Sequence, residues 1–68
     1  MLTLKEWRRA KGVSVEKLAE ALGVSPSTVN NWENRGQKIP VDMAIRACNF
    51  LGIKIDDVIF LSQNATNL

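Results

Sequence analysis

Histidine and tyrosine are absent from these 68 residues, and cysteine occurs once, as Cys48. Without histidine the chain lacks the commonest metal ligand and the usual general base. A lone cysteine excludes an internal disulfide, and no Cys/His cluster with zinc spacing exists, so no metal is expected. The longest apolar run is Val58-Ile59-Phe60-Leu61, far short of the ~20 residues of a membrane span. Lys5 and Glu6 arrive before any hydrophobic stretch. No secretory leader is therefore expected, and Asn64-Ala65-Thr66 reads as a chance glycosylation pattern. The expected compartment is the cytoplasm, with Cys48 reduced. There is no Gly-rich phosphate loop and no nucleophile with a partner. A chain this short buries only about 60% of the surface it exposes when unfolded. A deep catalytic pocket is not expected, nor a cofactor or small-molecule ligand.

What the chain does have is apolar packing material, 46% of its residues, and a net charge of +2. The charge is unevenly divided. Residues 1–38 carry seven cationic and four acidic side chains, a net of +3, whereas residues 39–68 carry two against three, a net of −1. A basic first half points to an anionic partner.

Local signals divide the chain into five short helices. Thr3 is an N-cap type with Glu6 in the capping-box position, and Gly12 closes the helix from Leu4 to Lys11. Ser14 begins a second helix with Glu16 in its first turn. Leu18, Ala19 and Leu22 form its apolar stripe, and Gly23 closes it. Ser25 followed by Pro26 begins a third, with Val29 and Trp32 as its buried pair, ending at Asn34-Arg35-Gly36. A fourth runs from Val41 to Leu51, with Met43, Ala44, Ala47, Cys48, Phe50 and Leu51 on a broad apolar face, and stops at Gly52. A fifth is expected from Ile55 or Asp56 to Leu61, with Asp56 and Asp57 at its dipole-favoured start. No segment alternates with a period of two. Residues 1–61 thus read as one domain and residues 62–68 as a flexible tail.

Only Gly23-Val24 separates the second helix from the third. A turn that short forces a steep crossing, as in a helix-turn-helix unit. Ala19 must be small because the third helix crosses above it, and Leu18, Leu22, Val24, Val29 and Trp32 fill the space beneath. Ser27, Thr28, Asn30 and Asn31 are left facing outward, with nothing in the core to require them.

Several strings together carry a resemblance. They are Leu4-Lys5-Glu6-Trp7-Arg8, Gly12-Val13-Ser14, Leu18 through Ser25, Ser27-Thr28-Val29, Trp32-Glu33-Asn34, Pro40 and Leu51-Gly52-Ile53. The chain resembles the Cro/phage-repressor type of helix-turn-helix domain over residues 2–60. The resemblance implies an all-α, five-helix, lambda-repressor-like bundle. It also implies sequence-specific binding of double-stranded DNA, the third helix lying in the major groove through residues 25–34. Base contacts map to Pro26, Ser27, Thr28 and Asn31. Asn31 is the best suited, because an amide binds adenine in a bidentate way. Phosphate contacts map to Val15, Asn34, Arg35 and Lys38, and outward-facing Asn30 is counted with them. Arg8 and Glu33 map to an ion pair that orients the third helix.

Two positions depart from the family pattern. Val15 stands where the family often has a glutamine that grips a phosphate. Pro26 stands where Gln or Arg often reads a base. The reader surface is therefore short-armed, and water bridges, DNA shape or dimerisation must supply part of the specificity. The apolar segment Ile55, Val58, Ile59 and Phe60 exceeds what a short last helix needs, which suggests a homodimer face for a pseudo-palindromic operator. The expected role is a small Cro-like repressor of prophage or mobile-element type. The competing reading is a protein-interaction adaptor, or an antitoxin-type component, that keeps the fold with little DNA binding of its own.

Overall fold

Each helix starts where a hydroxyl can accept an orphan N–H, or at a proline. The computed structural model describes residues 2–59. After a two-residue strand β1 (Leu2–Thr3), helix α1 spans Leu4–Ala10. Thr3 caps it: its hydroxyl accepts from the Glu6 N–H, while the Glu6 carboxylate accepts from the Thr3 N–H at 2.8 Å. Those two bonds hold the Glu6 carboxyl below its usual 4.5, the backbone bond from Thr3 first and the hydroxyl bond second. Helix α2 (Val15–Leu22) is capped by Ser14, which accepts from the Lys17 N–H. Helix α3 (Pro26–Asn34) is capped by Ser25, which accepts from the Thr28 N–H, with Pro26 where a missing N–H does no harm. Helix α4 (Val41–Leu51) begins after Pro40 with no side-chain cap.

The fifth helix expected from the sequence is not formed. Ile55–Asp57 makes a single 3₁₀ turn, and Val58–Ile59 is a strand, β2. It pairs in parallel with β1, Leu2 opposite Val58 and Thr3 opposite Ile59. The physical reason lies at Asp57. Its carbonyl accepts the Trp7 indole N–H at 2.9 Å and is thereby drawn towards α1 rather than along a helix axis. The β-branched pair that follows suits extended backbone. A two-residue strand is too short to show alternation, which is why its signal is missing from the sequence.

The core lies among α1, α2, α3, α4 and β2. Leu18, Leu22 and Val29 are its largest fully buried side chains, with Ala19, Ala44, Ala47, Cys48, Leu51, Ile39 and Val58 around them. Ala19 is 1% exposed, and α2 packs on both α3 and α4. Trp32 is half-buried rather than fully buried, and Phe50 is 47% exposed rather than on the core face of α4. Burial pushes the Cys48 thiol pKa up. Among the described residues every buried side-chain polar atom has a hydrogen-bond partner.

Candidate nucleic-acid interface

The turn between α2 and α3 is made by Gly23 and Val24. Gly23 has φ 73°, and the N–H of Val24 bonds the Ala19 carbonyl at 3.0 Å. This closes α2 in a left-handed cap and starts α3 at Ser25, two residues later. The orientation of α3 is then fixed from the other side by Arg8, which is buried at 8% exposure. Arg8 Nε donates to Glu33 Oε2 at 2.7 Å and Nη2 to Glu33 Oε1 at 3.1 Å. Its third arm, Nη1, donates to the Val13 carbonyl at 2.7 Å. One guanidinium therefore ties α1, the loop before α2, and α3 together in a bidentate fork.

The expected reader residues all lie on or beside α3, but they are not equally free. Ser27 is exposed at the first turn. The Thr28 N–H is held by Ser25, and its hydroxyl lies 3.0 Å from that of Ser25. Thr28 therefore spends its polar groups on the cap. Asn31 is half-buried, and its carbonyl accepts from the N–H groups of Arg35 and Gln37. Pro26 is exposed and offers no N–H.

Of the expected phosphate contacts, Arg35 and Lys38 are exposed in the segment that follows α3. Val15 is half-buried against the core, so only its backbone N–H, in the first turn of α2, can serve an anion. Asn30 and Asn34 are joined to each other. Asn34 Nδ2 donates to Asn30 Oδ1 at 2.6 Å, and Lys5 Nζ donates to Asn34 Oδ1 at 2.7 Å. Lys5 lies 29 positions from Asn34; nothing in the local pattern of α1 marks it, and the sequence reading missed it.

The candidate dimer face does not survive intact. Val58 is buried at 6% and belongs to the core, since β2 turns it inward beside Leu2. Ile55 is exposed at 39% and Ile59 is half-buried. Phe60 lies outside the described residues. The exposed large apolar side chains on α4 are Val41, Ile45 and Phe50. Among the described residues no helix is long and apolar enough to cross a membrane, and no group of potential ligands gathers as a metal site.

Two helices packed together across a two-residue turn, the second held to α1 by an Arg–Glu fork and presenting a small polar face, make a helix-turn-helix unit. The family model described as helix-turn-helix matches residues 4–58, and the chain belongs to that family, in its Cro/C1 branch. Two relatives carry names of the same kind. An HTH-type transcriptional regulatory protein named in Methanocaldococcus jannaschii is 40% identical over 52 residues, covering 76% of this chain but 16% of that protein. The uncharacterized HTH-type transcriptional regulator YgzD of Bacillus subtilis is 36% identical over 61 residues, covering 88% of this chain and 91% of YgzD. The chain thus spans under a fifth of the archaeal relative and most of the bacterial one. Among solved structures, the clp gene regulator ClgR of Corynebacterium glutamicum superposes with a TM-score of 0.76 at 29% identity, over 96% of this chain and 84% of that one. A second ClgR crystal structure gives 0.78 over 91% and 66%.

Proposed function

We propose that this protein is a sequence-specific, double-stranded DNA-binding transcriptional regulator, a small repressor of the Cro kind acting in the cytoplasm. Helix α3 enters the major groove, Ser27 and Asn31 meet base edges, and Arg35 and Lys38 meet phosphates. The observation that carries this reading is the Arg8–Glu33 fork, which fixes the angle at which the polar face of α3 is offered. A helix that reads bases must be held to a fraction of an ångström, and a bidentate pair does that better than apolar packing alone. The family and the names of the relatives support the regulatory role.

The DNA-bound form is a homodimer on two half-sites about 34 Å apart. Its apolar contact draws on exposed Ile55 and the exposed side chains of α4 rather than on Val58. The short arms of Ser27, Thr28 and Asn31 leave part of the specificity to DNA shape and bridging water. Selection from random duplex DNA tests this reading. A short, two-fold symmetric consensus is expected, with Asn31→Ala relaxing one position in each half-site. Failure to enrich any sequence, with no gel shift even at low salt, overturns it.

A further inference from the structure

The bond chain from α1 to α3 has a direction that chemistry forces. An ammonium has only donors, so Asn34 must turn its carbonyl oxygen towards Lys5. Asn34 then has only its amide NH₂ to offer the neighbouring side chain, and Asn30 must accept with its oxygen. The remaining polar group of Asn30 is its own NH₂, the end of the relay. The strip Lys5–Asn34–Asn30 therefore has N–H groups left for an anion: those remaining on the ammonium, and those remaining on the NH₂ groups of the two amides. Arg8, also on α1, has its fork filled by Glu33 and its third arm by Val13. Glu33, the adjoining acid, is neutralised by that fork. No group in the strip carries negative charge, and each of its three side chains has a donor to spare.

We infer that Lys5 is a phosphate-binding residue of the DNA interface. It supplies the charge for one backbone phosphate seated on the strip and, through Asn34, turns Asn30 into an obligate donor towards the same phosphodiester. This rests on the DNA-binding reading above. It adds a residue of α1 to a surface otherwise built from α2, α3 and the segment after α3. It also gives Asn30 and Asn34 one shared contact in place of two separate ones.

The test is the salt dependence of binding to duplex DNA, measured by fluorescence anisotropy, with thermal unfolding of each variant as the control for folding. Each phosphate contact contributes about −0.9 to the slope of log K against log salt. Lys5→Gln keeps a donor for Asn34 and removes the charge, so the slope should become shallower by ~0.9 per bound protomer with unfolding unchanged. Lys5→Arg should retain the wild-type slope. Lys5→Met removes charge and donor together. It should also move the side-chain amide NMR signals of both Asn34 and Asn30 in the free protein, whereas Lys5→Gln should leave them near their wild-type positions. A wild-type slope in Lys5→Gln overturns the inference while leaving the DNA reading intact. A wild-type protein that shows no salt-dependent binding overturns the DNA reading, and this inference with it.

Discussion

Arg8 shows how much one side chain carries in a domain this small. Its partner Glu33 has a side chain only 1% exposed. Removing the guanidinium leaves that carboxylate buried and unpaired, a loss of about 3–5 kcal/mol. At roughly 0.05–0.15 kcal/mol of stability per residue, a chain of this size has about 3–10 kcal/mol in total. Arg8→Ala should therefore lose about a third or more of its stability and melt well below wild type by circular dichroism. Replacing both partners with apolar residues (Arg8→Met with Glu33→Leu) should recover stability but not DNA affinity, because packing replaces charge without restoring the fork. Glu6 makes a smaller point. Its folded pKa is lowered by its bonds to Thr3, so its contribution is fully present above the usual 4.5 and is lost as pH falls through the lower folded value. Glu6→Gln should flatten the acid limb of a stability-versus-pH curve and leave the neutral region nearly unchanged. An acid limb identical to wild type would count against the capping box as its source.

The turn between α2 and α3 concentrates the geometry of the reader. A Cβ at Gly23 would meet nothing within 4 Å, so the strain of a side chain there is purely conformational, from φ 73°. Gly23→Ala should lower stability by about 1–2 kcal/mol, measured by urea denaturation, without a clash to relieve. Ala19→Leu meets the opposite situation. The site is 1% exposed on a helix packed against both α3 and α4, and overpacking should cost about 1–3 kcal/mol and tilt the reader. DNA affinity should then fall further than stability does. Four helices were legible in the sequence because their signals are local: Thr3 with Glu6, Ser14, Ser25 with Pro26, and a glycine after each of α1, α2 and α4. The bounds of α4 match the expected Val41–Leu51. The β1–β2 pair was illegible for the converse reason. Two residues carry no period, and Val58-Ile59 looks apolar enough for a helix face or a dimer face until Leu2 and Trp7 are known to be its neighbours. The Lys5–Asn34 contact was hidden in the same way, as a pairing of distant positions that no local pattern announces.

At the scale of the whole domain, the core is closed around small side chains, and Cys48 reports on whether it stays closed. Its thiol is buried, with its pKa raised, so the reactive thiolate is scarce in the native state. Labelling by a thiol reagent should track the unfolded population along a denaturation curve. Rapid labelling under native conditions would show instead that α4 opens on its own. The chain's two described ends are joined by the short strands and by the Trp7 indole bond to Asp57, which Trp7→Phe should weaken by about 0.5–1.5 kcal/mol.

Because β1 and β2 run parallel, the chain enters the pair beside Leu2 and leaves it beyond Ile59, at the opposite end of the ladder. Tension applied across the domain would therefore drag the strands past each other lengthwise. Their hydrogen bonds would share the load together instead of parting one after another. Two residues per strand make a weak clasp in solution, but in this loading direction both rungs resist at once.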